Sequence, residues 1–150
     1  MDIARIVVTG AFAVLLLLLA VRDIQARVIP NRVVYPGAAL ALAAAPLLPA
    51  GTHLSALTGG AIALAVFIAI YLVRPDAMGE GDVKLAGVIG LGLGFPNALV
   101  ALFLGAVFGG LVAGAGLALR RASLRSTMAY GPYLCAGALA VALLGRGPLG

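Results

Sequence analysis

Long apolar runs separated by short polar knots make up nearly the whole chain. Six runs can be drawn, at about Ala4–Val21, Val33–Leu48, Leu54–Val73, Val83–Phe95, Ala98–Leu119 and Met128–Leu144. Pro30, Pro49, Pro75, Pro96 and Pro132 stand near their ends, where a missing N–H and a fixed φ favour a helix start or stop. A helix that crosses a bilayer needs about 20 apolar residues, so six would consume about 120. In a chain of 150 residues that leaves only short loops. The pattern predicts an all-α, polytopic membrane protein with six transmembrane helices, residues 1–150 forming a single integral-membrane domain. The fourth run is the exception. Its thirteen residues rise only about 20 Å, against a hydrocarbon core of about 30 Å. Either its helix starts earlier and draws Asp82 to the membrane edge, or it lies beside a thinned or watery region.

Composition identifies the solvent. The chain is 63% hydrophobic and 10% charged, with a mean hydropathy of +1.17, whereas a soluble domain carries about 25% charged residues. The lipid bilayer is the expected surrounding. Twenty-one glycines fit membrane helices whose backbones approach closely. The spacings Gly90–Gly94, Gly105–Gly109 and Gly110–Gly114 suit such contact, and internal packing is their commoner use. The formal charge is +5, but the basic residues are scattered singly, which argues against a nucleic-acid partner. Arg22, Arg27, Arg32, Arg74, Lys84, Arg120, Arg121 and Arg125 fall in three alternate loops, eight of the ten basic residues. By the positive-inside rule those loops are cytoplasmic and both termini lie outside. Cys135 is the single cysteine, so no disulfide or CxxC metal pair is available and it reads as a small buried hydrophobe. The first run is expected to stay as a span rather than be cleaved as a signal peptide. Asp2 offsets Arg5, and no small-x-small site precedes Arg22 and Asp23.

Against this background the acids stand out. There are five: Asp2, Asp23, Asp76, Glu80 and Asp82. Asp23 follows the first apolar run and Asp82 precedes the fourth, both on the basic-loop side, so the two ends lie at similar depth. An ionisable group beside hydrocarbon is costly and a functional candidate. Two carboxyls brought together share one proton and titrate as a unit. The ionised member then takes a proton from water while the protonated member polarises a carbonyl, and an amide is hydrolysed without metal or cofactor. Gly79 and Gly81 around Asp82 would let the backbone turn tightly and an extended peptide approach. Plainer readings compete. Asp23 stands four residues from Arg27, the spacing of an ordinary helix-end ion pair. Asp82 and Lys84 make a possible interfacial pair, and Asp76 and Glu80 read as solvated loop acids. His53 lies on the opposite side and reads as a solvated loop residue.

Three strings carry more. "MGEGDVKLAGVIGLGLG" (residues 78–94), "DIQARVIPN" (residues 23–31) and "MAYGPYLCAGALA" (residues 128–140) occur in this order. The first closely resembles the GxGD signature of the type IV prepilin peptidases. The second resembles the surroundings of that family's first aspartate, and the third its late aromatic-Gly-Pro-aromatic-Leu stretch. The resemblance covers essentially the whole chain. It implies the GxGD aspartyl protease fold and an integral-membrane aspartyl endopeptidase that removes the leader of prepilins at the cytoplasmic face. It implies Asp23 and Asp82 as the catalytic pair, Gly79, Gly81 and Lys84 as residues that shape the site, and Gly131 and Pro132 as residues that bring the sixth segment near it. The partner is then a prepilin-like substrate, in the cytoplasmic membrane. Large members of the family carry paired CxxC cysteines in a cytoplasmic region and also methylate the mature pilin. Only about ten residues separate the first two runs here, and methyl transfer is expected to be absent. The size is similar to the minimal prepilin peptidases of tight-adherence (Flp-type) pilus systems, and also to archaeal preflagellin peptidases.

Two other classes stand beside the peptidase. A small proton- or ion-coupled transporter subunit would use Asp23 and Asp82 as a relay, but a relay needs polar groups through the membrane, and the third, fifth and sixth runs offer little beyond hydroxyls. A non-catalytic assembly scaffold would be indifferent to Asp23→Asn and Asp82→Asn.

Overall fold

A computed structural model describes residues 3–26, 31–44, 52–73, 75, 78–119 and 130–144. They form six helices: α1 (Ile3–Ala26), α2 (Asn31–Ala44), α3 (Thr52–Val73), α4 (Glu80–Leu93), α5 (Asn97–Ala118) and α6 (Gly131–Leu143). Each apolar run has become a helix, as hydrocarbon requires, because a helix satisfies its own backbone donors and acceptors where no water is present. Three helices, over Ile6–Gln25, His53–Val73 and Asn97–Ala118, are long and apolar enough to cross a membrane, and α6 is a shorter apolar helix. The outer faces carry large apolar side chains, among them Leu17, Leu18, Leu72, Phe103 and Leu111. A surface of that kind suits lipid rather than water.

Two of the boundaries that move relative to the apolar pattern matter for the acids. Helix α1 continues beyond Val21 to Ala26, because the polar residues that follow are tolerated in a helix. Asp23 thus lies inside α1, near its end. Helix α4 begins at Glu80 rather than Val83 and places Asp82 in its first turn. Its fourteen residues rise about 21 Å, still short of the hydrocarbon thickness. His53 stands in the first turn of α3, exposed, rather than in a loop. Pro36 lies within α2, a position the apolar pattern did not mark as a break. Of the punctuating prolines, Pro96 precedes α5 and Pro132 sits in the first turn of α6, while Pro30 and Pro49 lie outside the described residues.

Helix α4 is the centre of the assembly. It packs against α2, α3, α5 and α6, and α1 packs against α6 and α2. Leu85, Ile89 and Leu93 of α4 are fully buried, as are Leu16 and Leu19 of α1 and Leu134 of α6. Glycines set how closely the helices approach. A Cβ on Gly90 would stand 2.5 Å from the carbonyl oxygen of Gly59, and one on Gly137 would collide with the carbonyl oxygen of Ala101. These contacts join α4 to α3 and α6 to α5 at backbone distance, the use of small residues expected between membrane helices. At the far end of α4, Gly94 adopts φ 68° and its N–H donates to the Gly90 carbonyl at 2.9 Å. Only glycine takes that conformation without strain. Ser55 then ties the turn to α3: its hydroxyl donates to the Phe95 carbonyl at 2.9 Å, and the Phe95 N–H donates to the Ser55 carbonyl at 2.9 Å.

Candidate active site

At the opposite end of α4 the bundle holds its two buried charged side chains among the described residues, Asp23 at 5% exposure and Asp82 at 8%. They come from different helices, and their carboxyls lie within electrostatic reach of one another. Burying one carboxyl without a partner is costly, and burying two side by side adds like-charge repulsion. Structural cores avoid such an arrangement.

Asp82 is held by its own helix. It is the third residue of α4, after the N-cap Gly79. Its Oδ2 accepts a long hydrogen bond from the Gly79 N–H at 3.3 Å, while its own N–H donates to the Gly79 carbonyl at 3.1 Å. A carboxyl that reaches back to the N-cap N–H is one half of a capping box. The helix N-terminus favours negative charge at the same place. The tight turn expected of the flanking glycines is not what Gly79 makes. Its backbone is extended, φ −82° and ψ 155°, which any residue adopts. Gly81 lies half-buried in the first turn of α4.

Asp23 is held by packing. Its Oδ2 is buried and has no hydrogen-bond partner among the described residues. The start of α6 faces it: the Gly131 N–H is turned toward the carboxyl, and the Gly131 α-carbon side stands against Oδ2. One turn further along α6, the buried thiol of Cys135 lies in electrostatic reach of both acids. Cys135 is thus the buried small side chain that its apolar surroundings predict, and it also borders the pair. The ordinary surface ion pair weighed for Asp23 does not fit its burial. Arg27 and Asp76 lie outside the described residues.

Lys84 pairs with neither aspartate. Its Nζ donates to Oδ1 of Asn31 at 3.0 Å and approaches Glu80 at 3.6 Å. Glu80 is therefore the first residue of α4 and an ion-pair partner, not a loop acid. That exposed i,i+4 pair is worth at most about 1 kcal/mol. The bond to Asn31 matters more for geometry, because it fastens the start of α2 to the first turn of α4. Asn31 closes the string "DIQARVIPN", which by itself offers it no partner. Nothing in a pattern links side chains 53 positions apart. Among the described residues no cluster of three or more His, Cys, Asp or Glu side chains offers a metal cage.

Asp23, Asp82, Gly79 and Gly131 thus come together from three helix ends, whereas Lys84 turns to Asn31 and Glu80. Comparison with known proteins bears on the same stretch. The family model described as the type IV leader peptidase family matches residues 10–114. A protein of Bacillus subtilis (strain 168) named prepilin leader peptidase/N-methyltransferase is 30% identical over 134 residues, 89% of this chain and 54% of the relative. The chain thus spans about half the length of that curated relative. No solved structure matches the chain.

Proposed function

The chain belongs to the type IV leader peptidase family, and from that premise we propose that it is a prepilin leader peptidase, an aspartyl endopeptidase in which Asp23 and Asp82 act together. The observation that carries this reading is that two buried carboxyls, from α1 and α4, lie within electrostatic reach of one another, while the other buried side chains among the described residues are apolar. The substrate is the N-terminal leader junction of a prepilin-like protein. The cut falls at the cytoplasmic face of the membrane, with six spans, both termini outside and the basic loops inside.

The pair works with one proton between its two carboxyls. The ionised carboxyl accepts a proton from water as the water oxygen attacks the scissile carbonyl. The protonated carboxyl donates its hydrogen bond, then its proton, to the carbonyl oxygen. The tetrahedral intermediate collapses when the C–N bond breaks and the first carboxyl returns its proton to the leaving amine. The second carboxyl takes back the hydroxyl proton, and the enzyme is restored. The α4 N-terminus supports negative charge on Asp82 during these exchanges. The extended backbone at Gly79, without a side chain, leaves an edge along which an unwound peptide approaches. Asn31 and Lys84 keep that edge in place.

The test is incubation of the purified protein, in detergent or lipid, with a candidate prepilin, following the mass of the released leader. Positioned acid–base groups each contribute about 10²–10⁴-fold. Asp23→Asn and Asp82→Asn should therefore each lower release by at least about 10²-fold while the protein still inserts. Undiminished release by either variant would remove the two-carboxyl mechanism. A membrane proton flux that depends on both aspartates, with no leader released, would favour the relay instead.

A further inference from the structure

Gly131 opens α6 where that helix meets Asp23 of α1. A Cβ built on its backbone would lie 2.5 Å from Oδ2 of Asp23, 3.0 Å from its Cγ and 3.3 Å from its Cβ. The three nearest neighbours thus belong to one residue, and real Cβ atoms essentially never come within 3.0 Å of another heavy atom. Among other buried glycines, Gly37, Gly87 and Gly92 also meet a single side chain, but an apolar one (Leu15, Leu64 and Phe12), and Gly90 and Gly137 meet the backbone of a neighbouring helix, so their small size serves helix packing. The exposed Gly79 leaves 3.8 Å to Oδ2 of Asp82, enough for a side chain. Backbone conformation does not explain Gly131 either, since it is an ordinary helical residue at the first position of α6. What the position requires is space.

That space is occupied by the Asp23 carboxyl, toward which the Gly131 N–H is also turned. Oδ2 of Asp23 has no hydrogen-bond partner among the described residues, so steric contact with α6 limits where it sits. We infer that Gly131 is a positioning residue for peptide hydrolysis: its missing side chain makes the recess that holds the Asp23 carboxyl within reach of Asp82, and the start of α6 thereby sets the spacing of the pair. The inference rests on the two-carboxyl function proposed above and adds a third helix to the machinery.

The test is Gly131→Ala in the full chain, with Gly110→Ala as control, because a Cβ on Gly110 meets nothing within 4 Å. A reacting group displaced by about 1 Å costs about 10²-fold in rate. Gly131→Ala should therefore lower kcat by about 10²-fold with KM little changed, and Gly110→Ala should leave both unchanged. The pH dependence gives a readout that a structural defect would not move. Asp82 from α4 and Cys135 from α6 lie within electrostatic reach of Asp23, and the width of a bell-shaped profile reports how strongly the two carboxyls interact. Gly131→Ala should change that width, whereas mere instability lowers the amplitude and keeps the shape. If Gly131→Ala does not fold, Asp23→Ala in the same chain removes Oδ2 and Cγ, the two nearest obstacles, and should restore folding. Release within twofold of wild type with an unchanged profile would overturn the inference, as would a folding defect that Asp23→Ala leaves in place. In either case an intact wild-type dependence on Asp23 and Asp82 would leave the peptidase reading standing.

Discussion

Asp23 and Asp82 are buried by different means, and the difference shapes what each residue tolerates. Asp82 is anchored by its own helix, through the Gly79 N–H and the α4 N-terminus. Asp23 is placed by what packs around it, above all the start of α6. The proposed mechanism needs one of the two carboxyls protonated and the other ionised, so leader release should follow a bell-shaped curve against pH. Initial rates across the pH range in which the protein stays folded check this. A rate that rises to a plateau with no second limb would contradict the shared proton. At this scale the sequence was informative for a simple reason. In a chain with five acids, two that border apolar runs must have a use or be neutralised. Gly79 was harder to read. A Gly-x-Gly string suggests a turn, yet whether a glycine caps a helix or breaks it depends on where the first helical hydrogen bond forms, and the string does not encode that. Lys84 misled in the same way, since its nearest acid in sequence is not the one it pairs with.

At the scale of elements, the glycine spacings separate into two uses that a pattern alone cannot distinguish. Gly90 and Gly105 stand against the backbones of neighbouring helices, while Gly110 and Gly114 have nothing within 4 Å of an added Cβ. Overpacking a tight contact typically costs about 1–3 kcal/mol, whereas alanine in an open helical position gains up to about 1 kcal/mol over glycine. Gly90→Ala should therefore lower the thermal midpoint of the detergent-solubilised protein, and Gly110→Ala and Gly114→Ala should leave it level or raise it. The reverse ranking would show that α3 and α4 are not joined at Gly59 and Gly90. The short helix α4 is explained by the same packing. It is too short to span hydrocarbon by itself, and it is covered by α2, α3, α5 and α6. Its first turn, held to α2 through Lys84 and Asn31, consequently sits where polar groups are needed. Apolar periodicity marked the existence of all six helices. The shortness of the fourth run allowed an earlier start that takes in Asp82, which α4 has, but the end of α1 was missed because polar residues continued that helix past its apolar run.

For the molecule as a whole, an apolar exterior surrounds two acids at one end of the bundle, which is the distribution expected of an enzyme that works at a membrane face. The resemblance seen in three short strings agrees with the family matched over residues 10–114, and the third string, around Gly131, lies beyond that match. The strings' resemblance implied that the three segments meet; the contact they did not disclose is that of Gly131 at the start of α6 with the Asp23 carboxyl of α1. The measurement that tests this convergence most directly is a thiol cross-link. With Cys135→Ala as background, Asp23→Cys and Asp82→Cys are introduced together, and the protein is oxidised or treated with a short thiol-bridging reagent. Mass spectrometry of the monomer should show the two thiols joined within one chain, and neither single variant should give the product. Two thiols that react independently and never bridge would contradict a shared site for residues 23 and 82.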